Sequence, residues 1–169
     1  NLKSSKFKKI IIPKFDKAID NRASKNKWLK VTKKPNIVVF EGWCVGAEPQ
    51  KKKDLLISIN KLEKQNDYKK TWRNKVNQEL KKDYKKIFKL IDKIIFLKVP
   101  SFKYVFKWRL LQEKKLKKNF KGKKIMSKNK IKNFIMFYER ITKHMIKTLT
   151  YKAHTIIKID TKHRLKSIK

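Results

Sequence analysis

Cysteine is all but missing from this chain: Cys44 stands alone, which excludes an internal disulfide and fits a reducing compartment. No Cys/His cluster has zinc spacing. The three histidines, His144, His154 and His163, are scattered and read as ordinary surface or core residues. No apolar run approaches the roughly 20 residues of a membrane span. The first residues lack the continuous apolar stretch of a secretory signal, so the expected compartment is the cytosol. Glycine and proline are also scarce, at three and four residues, while hydrophobic residues reach 40%; this excludes a fibrous chain and argues against a disordered one. At 169 residues the chain is long enough for one sizeable core, and 1–169 reads as a single domain. It begins with Asn1 rather than Met, which leads us to expect a truncated N-terminus.

Acidic residues are few, 13 against 50 Lys and Arg, for a formal net charge of +37. Such a charge points towards nucleic acid or an anionic surface. Its texture points elsewhere. Only five of the basic residues are Arg, at Arg22, Arg73, Arg109, Arg140 and Arg164, and the lysines are spread through nearly every segment. Together with abundant Ile and Asn, this matches the codon usage of an AT-rich genome. Dedicated readers of nucleic acid favour Arg and gather charge on one face.

Ile10-Ile11-Ile12-Pro13 reads as a strand end entering a loop, and 24–35 as irregular apart from Trp28 and Leu29. Ile37-Val38-Val39-Phe40 and Ile94-Ile95-Phe96-Leu97 are continuous apolar runs of the kind buried in a parallel sheet. Between them we expect a short helix over 54–62 and a longer one over 67–91, with Trp72, Val76, Leu80, Tyr84, Ile87 and Leu90 on its buried stripe. Further helices are expected over 101–119, with Gly122 in the turn beyond, and over 127–149, where Phe134, Phe137, Tyr138, Ile141 and Met145 are core. The last strand is 155–160. Apolar strands alternating with amphipathic helices predict an α/β fold, a parallel sheet flanked by helices. Ligands in such sheets sit at the carboxyl ends of the strands.

That rule selects the candidates. Glu41 follows an apolar strand, where a carboxylate can hold magnesium or be a plain strand-terminal charge. Gly42 and Gly46 lend freedom to the loop beside it. Asp16 and Lys17 set an acid beside a base at another strand end; they can meet a substrate hydroxyl and a phosphate, or form a solvated ion pair worth under about 1 kcal/mol. Arg109, Gln112 and Glu113 share a helix face, as a planar phosphate clamp or as a surface salt bridge. Cys44 has no His near it in sequence and reads as a packing residue.

Taken together, Pro13-Lys-Phe-Asp-Lys-Ala18, Asp20-Asn-Arg22, Val39-Phe-Glu-Gly-Trp-Cys-Val-Gly-Ala47, Trp72-Arg73, Val76-Asn77, Pro100-Ser-Phe102, Trp108-Arg-Leu-Leu-Gln-Glu113, Met126-Ser127 and Phe137-Tyr-Glu-Arg-Ile-Thr142 resemble, in order, the glycerate kinase-like branch of the P-loop kinases, related to uridine kinase and phosphoribulokinase. The resemblance implies ATP-dependent, magnesium-assisted phosphorylation of a hydroxyl on a small organic acid such as D-glycerate. It implies Glu41 as the strand-end acid holding magnesium, Asp16, Lys17 and Arg22 in the loop lining substrate and phosphates, Gly42 and Trp43 beside them, and Arg109 with Gln112 on a lid-like helix over the nucleotide. Its partners are ATP and a glycerate-like acid, with no membrane and with nucleic acid touched only by nonspecific electrostatics.

One departure is large. The family's G-x-x-x-x-G-K-[ST] loop, whose amides cradle phosphates, is absent, as is an acidic substrate-binding motif that follows the next strand. The expectation is therefore a C-terminal two-thirds of a kinase, inactive alone and missing the strand-loop-helix of the phosphate loop. Two rival readings stand: a non-enzymatic, basic nucleic-acid-binding protein, and a degenerate relative that keeps the kinase fold as a binding module.

Overall fold

The computed structural model describes residues 2, 4–16, 19, 21–119 and 126–169, the side chains of 116–119 apart. Two compact units emerge, Asn1–Glu41 and Gly42–Lys169, and each is described by itself.

In the first unit the β-branched run forms β1 (Ile10–Ile12), which pairs antiparallel with β4 (Leu29–Val31), Ile10 opposite Val31 and Ile12 opposite Leu29. Between them β2 (Phe15–Asp16) pairs with β3 (Asn21–Arg22). The expected irregular stretch thus contains a strand: its Leu and Val are recruited by the triple isoleucine through backbone pairing. The Trp28 indole N–H donates to the Ala23 carbonyl at 2.7 Å, and Ala23 is the one buried residue among those described here. The expected strand at 37–40 is not formed. Ile37 is 81% exposed and Val39 85%. A continuous apolar strand needs neighbours at its edges and layers on its faces, and among the described residues none pairs with it.

The second unit opens with helices. The expected helix over 54–62 is divided into α1 (Lys52–Leu56) and α2 (Lys61–Asn66). Asn60 is the cause: its side chain accepts from the Glu63 backbone N–H, while the Glu63 carboxylate accepts from Ile59 N–H, a reciprocal cap that starts a new helix. Next, α3 (Thr71–Glu79) and α4 (Lys85–Phe88) are joined by a wide π-type turn over Leu80–Tyr84. Their buried stripe differs from the expected one. Arg73, Asn77 and Leu80 face inward, and Trp72 is 71% exposed. Asn77 explains part of this, since its amide clamps the Gln50 backbone in both directions, at 2.7 and 3.1 Å.

The expected strand at 94–97 appears one residue later as β5 (Ile95–Lys98), followed by α5 (Phe102–Asn119) and α6 (Lys128–Lys152). The Ser127 hydroxyl accepts from Lys130 N–H at 3.3 Å and caps α6; Gly122 lies outside the described residues. β6 (Thr155–Ile159) pairs parallel with β5, Leu97 beside Ile157. A further strand, β7 (Leu165–Ile168), returns antiparallel to β6. Ala47, Leu80, Met145 and Leu149 form the core, with Cys44, Phe96 and Ile141 packed against it. Gly46 sits at φ +78°, where a Cβ would meet Ile94 at 3.2 Å and Leu149 at 3.5 Å. Its freedom therefore serves packing against the core as well as the loop. Cys44 packs as expected, and burial pushes its thiol pKa up.

Candidate functional site

The parallel pair β5–β6 sends its carboxyl ends to one side. There a crevice of about 500 Å³ is lined by Lys98, Pro100, Lys158, Asp160, Thr161 and Lys166. The β6–β7 turn that walls it is held by Asp160, whose Oδ1 accepts from the backbone N–H groups of Lys162 and Arg164, both at 2.8 Å. The bond from Arg164 N–H is the largest influence holding the Asp160 carboxyl below its usual pKa, ahead of the Arg164 side chain and Lys162 N–H. Asp160 is thus committed to the turn. Lys98, Lys158 and Lys166 give the crevice its cationic lining.

A second groove, of about 480 Å³, runs along α5 and is lined by Val105, Trp108, Arg109, Gln112, Lys115 and His163 among others. Arg109 donates to Gln112 Oε1 at 2.9 Å and to Glu113 Oε1 at 2.7 Å, and its guanidinium lies 5.5 Å from the centre of the Phe134 ring. Glu113 is buried, and its other oxygen accepts from Met126 N–H. The pairing that the three- and four-residue spacing allowed is present, and it leaves one edge of the Arg109 guanidinium tethered to Glu113.

Trp43 is connected to the same region through aromatics of α6. Its ring meets Tyr138 edge-on at 4.9 Å, Tyr138 lies 4.9 Å from Phe134, and Phe134 carries Arg109. Within the second unit the structure therefore links Trp43 with Arg109 and Gln112. Gly42 is exposed in the turn before Trp43, where an added Cβ would meet Val45 at 3.0 Å. In the first unit Phe15 faces Arg22 and Asp16 faces Asn21, so Asp16 and Arg22 lie on adjacent short strands. Lys17 lies outside the described residues. Glu41 is exposed and follows an unpaired segment rather than a strand.

Sequence reasoning missed the most heavily bonded cluster. Arg140 holds both oxygens of Glu63, each at 2.7 Å, and donates to the carbonyls of Asp54 and Ile57. Arg73 holds Asp67 at 2.9 Å and reaches Ser58 and Glu63. Burial alone pushes the Glu63 pKa up; the Arg140 hydrogen bonds, Ile59 N–H and the charges of Arg140 and Arg73 outweigh it and hold the carboxyl low. Asp67 follows suit: burial pushes it up, and the N–H groups of Trp72 and Arg73 with the Arg73 guanidinium bring it down. The signal was the scarcity of Arg. Four of the five, Arg73, Arg109, Arg140 and Arg164, are paired with a carboxylate, which is where a planar fork does what Lys cannot.

Among the described residues no three His, Cys, Asp or Glu gather into a metal cage. A magnesium ion that takes one protein carboxylate and fills its shell with water and phosphate oxygens fits an exposed acid such as Glu41. No helix among the described residues is long and apolar enough to cross a membrane.

Comparison with known proteins finds relatives in sequence and in fold. The chain is 33% identical over 152 residues to the uncharacterized kinase mug58 of Schizosaccharomyces pombe, covering 86% of this chain. It is 26% identical over 146 residues to the chloroplastic D-glycerate 3-kinase of Arabidopsis thaliana, covering 83%. A solved D-glycerate 3-kinase from Cryptococcus neoformans superposes with a TM-score of 0.76 over 95% of the chain, at 21% identity. This chain is similar to the glycerate kinase-like kinases. The expected α/β class holds with them. The kinase-like chain spans 52% of the length of the S. pombe protein, 29% of the plant enzyme and 59% of the fungal structure. No protein-family model matches it.

Proposed function

We propose that this chain is part of an ATP-dependent kinase that phosphorylates a hydroxyl of a small organic acid, D-glycerate foremost. The observation that carries the reading is the collinear likeness to named kinases over more than four-fifths of the chain, supported by the shared fold. In this reading 1–169 is one domain of the enzyme, in the cytosol. By the family resemblance, Glu41 is the magnesium-holding acid, Asp16, Lys17 and Arg22 serve substrate and phosphates, Gly42 and Trp43 serve substrate or nucleotide binding, and Arg109 with Gln112 serves the nucleotide. Phosphoryl transfer needs mainly positioning and charge neutralisation. ATP supplies the group transferred, and the cationic crevice beside β5 and β6 suits its phosphates. Because the sequence has no G-x-x-x-x-G-K-[ST] loop, the 169 residues alone are inactive.

The test is a coupled assay of ADP release with ATP, magnesium and D-glycerate, run on the longest product of the gene and on the 169-residue chain. We expect glycerate-dependent ADP formation from the first and none from the second. Glycerate-independent hydrolysis, or no turnover by the longest product, would overturn the proposal.

A further inference from the structure

Trp108 and His163 are far apart in sequence, on α5 and in the β6–β7 turn, yet their rings lie face to face, 4.3 Å between centres and 17° from parallel. A purine takes this same geometry on an indole. We propose that the face of Trp108 is a nucleobase platform, and that the base of a nucleoside triphosphate takes the place occupied by the His163 ring. The inference rests on the kinase reading for the kind of ligand and adds to it where the base binds.

Three observations carry it. The stacked pair forms part of the α5 groove rather than lying under a lid: His163 is exposed, and both rings line the cavity. The turn that carries His163 does not depend on its side chain. Asp160 closes that turn through the backbone of Lys162 and Arg164, and the Asp160 N–H donates to the Arg164 carbonyl at 2.8 Å. The imidazole can therefore swing away with the turn intact, although His163 is held at φ +65°. Finally, cations flank the platform. Arg109 and Lys115 line the same groove, and the turn that delivers His163 also walls, through Asp160 and Thr161, the crevice holding Lys98 and Lys158, with Lys166 reaching it from β7. An aromatic face with lysines across a single turn suits a ligand with a flat base at one end and phosphates at the other.

The experiment compares ATP with inorganic tripolyphosphate, binding each to the 169-residue chain by calorimetry at fixed ionic strength. Stacking one base predicts ATP binding at least about 5-fold more tightly than tripolyphosphate. Trp108→Ala should erase that ratio and leave tripolyphosphate binding unchanged. Trp108→Phe should keep most of it, and His163→Ala should leave ATP binding equal or tighter. Equal affinities for the two ligands in the unaltered chain would sink the platform, as would a His163→Ala loss as large as that of Trp108→Ala. If Trp108→Ala does not fold, the Phe and His163 variants decide. A single-stranded oligonucleotide that exceeds ATP in its dependence on Trp108 would overturn the nucleotide in favour of nucleic acid. Glycerate-dependent ADP release by the longest gene product reads the kinase proposal separately, so failure of the platform and failure of the kinase are distinguishable.

Discussion

Ile37-Val-Val-Phe40 and Ile94-Ile-Phe-Leu97 are nearly the same word written twice. The second forms β5 beside β6 and sends Phe96 into the core. The first pairs with nothing described and leaves Val39 85% exposed. Apolar content supplies the incentive to form a strand, but a partner strand and a covering layer supply the hydrogen bonds and the burial. The wider units repeat the contrast. Asn1–Glu41 is held by strand pairing with Ala23 alone buried among the described residues, whereas Gly42–Lys169 is built round Leu80, Met145 and Leu149 and a buried Arg–Glu–Arg bridge.

The contrast can be broken most forcefully at that bridge. Arg140→Met strands Glu63 in the interior and should cost about 3–5 kcal/mol, read as a lower urea midpoint by circular dichroism. Acid attacks the same point. Glu63 and Asp67 titrate lower folded than unfolded, so their stabilisation is fully present above the ordinary carboxylate range and is lost as pH falls through their depressed values. The urea midpoint should therefore fall below about pH 4, and a flat profile down to pH 2 would remove the bridge from the account. Phe96→Ala should cost about 2–4 kcal/mol, because a packed ring leaves a cavity. Gly46→Ala, at positive φ and against Ile94 and Leu149, should cost about 1–3 kcal/mol. Val39→Ala is the smallest, under about 0.5 kcal/mol. A loss near that of Phe96→Ala would mean that 37–40 is covered in solution and that the two apolar runs are alike after all.

The parts of this fold that sequence made legible are the local ones. The Ser127 cap and the apolar spacing after it marked α6, although of the residues expected in the core there Met145 is buried and Phe137 is 65% exposed, and four consecutive apolar residues before Pro100 marked β5. The Arg109–Glu113 pairing could be read as one of two outcomes from a four-residue spacing. What stayed hidden depends on distant partners. α3 buries Arg73 and Asn77 rather than Trp72 because Asp67, Glu63 and the Gln50 backbone receive them; a rule that counts apolar residues turns that helix the wrong way. Glu63 and Arg140 are 77 residues apart, and neither betrays the other. β7 is short and carries Lys and Ser between its apolar residues, so nothing marks it until β6 is there to pair with it. Of the candidate site, Trp43, Arg109 and Gln112 could be named one by one, but their connection through Phe134 and Tyr138 belongs to the packing of α5 on α6.

The wide turn at Leu80–Tyr84 has a consequence for how this gene can vary. Each π-type turn holds one residue more than the α-helix around it requires, which rotates everything downstream by about 100°. Elsewhere in a helix, losing one residue scrambles the faces that follow. Here a single-codon deletion would remove a surplus and leave one straight helix, making this the point within 71–88 where the helix can lose a residue with the least disturbance to the faces on either side.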